Sequence, residues 1–151
     1  MSDQYTQQDV GDVNQAIRQE HEQLRALLGE IGQVLTTRQV PVDAVVRKLS
    51  LLRDQLELHF RHEESEGFFE QIADQAPRLA GRIAKLCVEH LAMLSEIDVL
   101  LEQAMQGDSS EGWWRFTGAA FHDLSKRLME HEREENELLQ RTYPDDIGSK
   151  D

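Results

Sequence analysis

The chain has 151 residues, 39% of them hydrophobic and 30% charged, enough for one domain with a core of its own. Three prolines and nine glycines are too few for the many tight turns of a sandwich or barrel, and the single cysteine, Cys87, excludes an intrachain disulfide and makes a reducing, cytoplasmic setting the expectation. The formal charge of −13 argues against nucleic acid or an anionic membrane as partner, no apolar run approaches the ~20 residues of a membrane span, and the opening MSDQYTQQDV lacks the basic-then-apolar order of a signal peptide.

Four segments carry apolar residues at spacings of three and four, the mark of a helix with one buried stripe. The first runs from about Asp12 to Thr37, with Ile17, Leu24, Leu28, Ile31 and Leu35 on its stripe. The second starts near Pro41, where proline suits a first helical turn, carries Leu49, Leu52, Leu56 and Phe60, and weakens around Gly67. The third begins near Pro77 and shows Ile83, Leu86, Met93, Ile97 and Leu100. The fourth follows the break at 107–112, with Ser109 or Ser110 as N-cap, carries Phe121, Leu124, Leu128 and Leu138, and ends before Pro144. Strand-like alternation is absent. The expectation is all-α, an antiparallel up-down-up-down four-helix bundle over residues 12–143, with polar tails at 1–11 and 144–151.

Each stripe, continued in its own rhythm, meets a histidine: His21 in the first segment, His59 in the second, His90 in the third and His131 in the fourth. The second and fourth add Glu63 and Glu135 one turn later, so Leu52, Leu56, His59, Glu63 and Leu124, Leu128, His131, Glu135 repeat one spacing. Measured from the connections near Gln39 and Gln75, the polar positions of the first three segments fall at matching heights to within about a turn, at ~1.5 Å per residue. His90 and His131 match less closely across Ser109, a difference that a loop of several residues at 107–112 absorbs. All six side chains can then meet in one layer.

Two carboxylates buried among imidazoles need positive charge, and no Lys or Arg interrupts the stripes there. A metal supplies it. Four His and two Glu suit two ions, each with two imidazoles, and both carboxylates bridging the pair. Positions remain for an oxo or hydroxo bridge and an outside ligand. Nitrogen and oxygen ligation with spare sites favours iron, or alternatively manganese, over structural zinc.

Competing positions read as ordinary. His62 has Glu66 one turn on, but Leu58 and Gln55 precede it in place of an unbroken apolar row, so the register of His59 and Glu63 is preferred. His122 is followed by Ser125 and Lys126 and belongs to a solvated face. Cys87 reads as a small filler, and Trp113 and Trp114 as a cap on the end of the bundle. Leu24, Leu56, Leu94 and Leu128 are core residues that would wall the layer off from water.

The segments Glu20-His21-Glu22-Gln23-Leu24, His59-Phe60-Arg61-His62-Glu63-Glu64, Glu89-His90-Leu91-Ala92-Met93-Leu94 and His131-Glu132-Arg133-Glu134-Glu135 resemble the hemerythrin-like family of HHE cation-binding domains, over residues 12–143. The resemblance implies a non-haem di-iron centre, with His21 and His59 on one iron, His90 and His131 on the other, and Glu63 and Glu135 bridging. Oxygen-carrying hemerythrins have a further histidine one turn away on the third helix, where this chain has Leu86 and Leu94. They also place Asp five residues after the last histidine, where this chain has Glu at four. The broader bacterial HHE group is the nearer match, with one more open coordination position. The implied function is binding of O2 or NO for sensing, storage or detoxification, more a binding protein than an enzyme. A di-iron redox enzyme turning over peroxide or NO, and an iron–sulfur cluster repair protein, are the alternatives; a metal-free helical interaction module is the plain one.

Overall fold

The structure, a computed structural model, describes residues 7–142. It consists of α1 (Gln7–Thr37), α2 (Val42–Ser65), α3 (Phe68–Gln75), a 3-10 turn (Pro77–Leu79), α4 (Ala80–Met105) and α5 (Glu111–Thr142), with no strand among the described residues. The four expected segments are the four long helices. Helix α1 opens at Gln7, ahead of the expected Asp12, so residues 7–11 of the expected N-terminal tail are helical. They offer no apolar stripe to read, and extending an existing helix adds a hydrogen bond per residue without a new nucleus. Residues 1–6 and the expected tail at 144–151 lie outside the described residues.

Local chemistry accounts for the breaks. Pro41 stands just before α2 in an extended conformation and accepts a hydrogen bond from the Val45 N–H. Ser110 caps α5, its Oγ accepting from the Trp113 N–H at 3.2 Å. Gly67 takes φ 105°, a left-handed conformation that suits glycine, and this ends α2 and starts α3. The expected weakening at Gly67 is thus a full break. The eight-residue α3 was not foreseen, because so short a segment cannot display a repeating stripe; its Phe68, Phe69 and Ile72 are buried.

Helix α1 packs on α2 and α5, and α4 packs on α2 and α5, closing a ring of four; α3 lies against α1, α2, α4 and α5. Side-chain pairs mark the seams. Glu30 meets Lys48 and Glu20 meets His59 between α1 and α2; Asp98 meets Arg53 and His90 meets Glu64 between α4 and α2. Glu96 meets Arg127 and Glu89 meets His131 between α4 and α5. The exposed pairs among these contribute little stability.

Every stripe residue named from the sequence is buried, and the core divides in two. A long cluster contains Leu24, Leu28, Ile31, Leu49, Leu52, Leu56, Met93, Ile97, Leu124 and Leu128. A shorter one joins Ile17, Leu86 and Leu138 to Phe68, Phe69 and Ile72 of α3. On α1, α4 and α5 the inward histidine lies between a residue of the first cluster and a residue of the second, and beyond His59 of α2 the second cluster is supplied by Phe68 of α3. At about 1.5–3 kcal/mol for each fully buried large apolar side chain, both clusters hold the helices in register around that level. Trp113 closes the far end, its indole N–H donating to the Ala104 carbonyl at 3.0 Å with Trp114 edge-on to it. A Cβ at Gly107 would fall 1.6 Å from the Trp113 ring, so only glycine fits beneath it. Among the described residues, no helix is long and apolar enough to cross a membrane.

Candidate metal centre

His21 comes from α1, His59 and Glu63 from α2, His90 from α4, and His131 and Glu135 from α5. None of the six is more than 2% exposed. They form two overlapping foursomes: His21, His59, Glu63 and Glu135, and then Glu63, His90, His131 and Glu135. In each foursome, one nitrogen or oxygen from every residue lies within 4.8 Å of the others. Both carboxylates belong to both foursomes, so the expected single layer is present with its shared acids at the middle.

The distances inside the layer are short but unaligned. His59 Nε2 lies 3.0 Å from Glu63 Oε2, His90 Nε2 lies 3.0 Å from Glu63 Oε1, and His131 Nε2 lies 2.8 Å from Glu135 Oε2. None of these six atoms makes a hydrogen bond. Leaving a buried polar atom unpaired costs about 1–3 kcal/mol, and more when it is charged. His21 differs: its Nε2–H donates to Glu135 Oε1 at 2.9 Å. Glu63 and Glu135 pair with histidines alone in the ion pairs of the described residues. A mixed set of imidazole nitrogens and carboxylate oxygens, converging with unused lone pairs, fits divalent first-row metals.

Outside the layer, three of the four rings are held by further glutamates. His59 Nδ1–H donates to Glu20 at 2.7 Å, His90 Nδ1–H to Glu64 at 2.5 Å, and His131 Nδ1–H to Glu89 at 2.7 Å. A carboxylate accepts but does not donate, so Nδ1 carries a hydrogen and Nε2 is the nitrogen available to a cation. Glu20, Glu64 and Glu89 had no assigned role in the sequence. The available signal was adjacency: Glu20 precedes His21, Glu64 follows Glu63 and Glu89 precedes His90. Each serves the histidine of a neighbouring helix, a pairing that spacing along one helix does not display.

Burial alone would depress the imidazoles, but the carboxylates close around them outweigh it. His21 is raised to about 9 with Glu135 and Glu63 as the cause, His59 to about 10 with Glu20 and Glu63, and His90 to about 9 with Glu135, Glu63 and Glu64. His131 moves the same way through Glu135 and Glu89. Burial would push Glu135 up, yet the imidazoles of His131, His21 and His90 close around it hold it well below the usual carboxylate range. The layer therefore balances its own charge with protons, which a cation would have to displace.

The walls are apolar and aromatic. Phe60 stacks on His90 with ring centroids 3.9 Å apart and 8° between planes, and Phe69 of α3 lies near-parallel to His90 at 5.7 Å. Leu24, Leu56 and Leu128 are buried beside the layer as expected. Leu94 is only partly buried; Met93 takes the inward position on α4, because it falls three residues after His90 on the same stripe. A groove of about 190 Å³ between α1 and α2, lined by Glu20, Gln23, Gln55 and Leu58, reaches His59.

The set-aside residues lie outside the foursomes. His62 is 27% exposed and its Nδ1–H donates to Glu20 at 2.5 Å, so Glu20 joins it to His59. His122 is exposed. Cys87 is half-buried against the shorter cluster, and burial, with the charges of Glu64, Glu63 and Glu135, pushes its thiol up to about 11. A thiol held that high is a poor ligand or nucleophile at neutral pH.

The chain belongs to the hemerythrin HHE cation binding domain family, whose pattern matches residues 12–143. Comparison with curated proteins and with solved structures finds no match.

Proposed function

We propose that the buried layer is a non-haem di-iron centre that binds O2 or NO for sensing, storage or detoxification, with manganese the alternative metal. In this reading His21 and His59 hold one ion, His90 and His131 hold the other, and Glu63 and Glu135 are shared by both. The observation that carries it is the set of six buried, converging nitrogen and oxygen atoms that have no hydrogen-bond partner. When bound, a pair of ferrous ions supplies electrons and open coordination positions to a small diatomic ligand. The chain's own residues do the rest. Glu20, Glu64 and Glu89 fix the rings, and Leu24, Leu56, Leu128 and Phe60 exclude water.

The reading includes the antiparallel up-down-up-down order of the four long helices. Its support is the seam pairs, in which moving back along α1 from Glu30 to Glu20 moves forward along α2 from Lys48 to His59. It also includes a reducing, cytoplasmic setting, supported by the single, half-buried cysteine.

Binding is favoured over turnover because the two foursomes consist only of the six residues that would hold metal, and the outer carboxylates Glu20, Glu64 and Glu89 are engaged by imidazole rings. The test is an optical spectrum of the anaerobic ferrous protein before and after O2 or NO, then after removal of the gas. New absorption bands that disappear on removal are expected. Iron that oxidises and stays oxidised would move the assignment to a di-iron redox enzyme or a cluster repair protein. A folded chain that takes up no metal would leave the helical interaction module.

A further inference from the structure

The glutamates outside the layer follow a rule. The α1 residue Glu20 holds His59 of α2, Glu64 of α2 holds His90 of α4, and Glu89 of α4 holds His131 of α5. Each of these glutamates is the immediate neighbour in sequence of one of the six converging residues. Around the ring of helices, the next link would run from α5 back to His21 on α1.

Both halves of that link exist and neither is used. His21 Nδ1 is buried with no hydrogen-bond partner. Glu132 of α5, the neighbour of His131, is only 4% exposed, and its Oε2 is also buried without a partner. The other oxygen of Glu132 lies 3.4 Å from Arg25 Nε, one turn beyond His21, which places the carboxylate on the seam between α1 and α5 at this level. Burial pushes the Glu132 carboxyl up, and His21, ahead of Arg25, pulls it back.

We propose that Glu132 is the positioning residue for His21, accepting the Nδ1–H of that ring once a cation occupies its Nε2. The link rests on the metal-centre reading above, because a cation on Nε2 leaves Nδ1–H as a buried donor that needs an acceptor. It makes the two halves of the centre unequal. His90 and His131 are already held from outside, whereas the half containing His21 must close its last link as it loads.

The experiment is an anaerobic titration of the full chain with cobalt(II), followed by its visible absorption, alongside proton spectra of the cobalt form. In the wild-type chain two uptake steps are expected, with an exchange-protected, paramagnetically shifted Nδ1–H signal for His21. The substitution Glu132→Ala is expected to weaken one step by about 10–100-fold, leave the other unchanged and remove the protection of that proton. Glu132→Gln keeps an accepting oxygen and is expected to recover part of the loss. Arg25→Ala is expected to leave both steps in place. Unchanged steps in Glu132→Ala, or a loss reproduced in full by Arg25→Ala, would overturn the assignment. A wild-type chain that binds no cobalt would overturn the metal centre itself, a result distinct from either.

Discussion

One turn along the bundle from the histidines, Leu24, Leu56, Met93 and Leu128 fill the same four-helix cross-section with side chains that are at most 3% exposed. That slice is held by burial alone. The histidine slice is equally buried, yet several of its atoms lack hydrogen bonds and its charges balance only through protons on the rings. Identical helical periodicity therefore produces one slice that stabilises the fold by itself and one whose stability depends on what occupies it. The lesson is that a stripe position specifies burial, while the side chain placed there decides whether burial is favourable.

Four perturbations separate the slices, the first with the largest effect. Leu128→Ala leaves a cavity in a closely packed layer and is expected to cost about 2–5 kcal/mol in denaturant unfolding, equally with and without metal. Ferrous or cobalt ion at about a hundred times its dissociation constant is expected to stabilise the wild-type chain by about 2.7 kcal/mol, measured as a rise in the unfolding midpoint. Glu135→Ala, which removes an oxygen donor common to both foursomes, is expected to abolish that rise.

The third perturbation is pH, applied to protein stripped of metal by chelation. His21, His59 and His90 are raised from 6.5 to about 9, 10 and 9, so their contribution is fully present below about pH 6.5 and is lost as pH rises through 9 to 10. Glu135 is depressed, so its contribution is present above the usual carboxylate range and is lost on acidification through its lowered value. Unfolding midpoints are therefore expected to fall on both sides of neutrality, and Leu128→Ala is expected to lower that curve without changing its shape. The smallest effect belongs to His122→Ala on the exposed face of α5, which is expected to change stability by no more than about 0.5 kcal/mol and leave metal uptake intact.

Much of the polar slice was legible in the sequence because burial follows periodicity. His59 was separable from His62 by the unbroken row Leu49, Leu52, Leu56 leading to it, and the structure buries the first and leaves the second partly exposed. The cap of α5 was legible as Ser109 or Ser110, and the structure uses Ser110. Two features were not. Helix α3 is too short to repeat a pattern, although its Phe69 lies against His90 and its Phe68 anchors the shorter cluster. Glu20, Glu64 and Glu89 were hidden among many acidic residues, since each acts across a seam on a helix other than its own.

The claim on which the rest depends is that the six converging residues hold two metal ions. It is tested most directly by metal analysis of the folded chain after anaerobic reconstitution with ferrous ion and removal of the excess. About two irons per chain are expected for the wild type, with loss of both in the double variant Glu63→Ala, Glu135→Ala. A folded wild-type chain that retains no metal, or a double variant that retains as much as the wild type, would contradict the account.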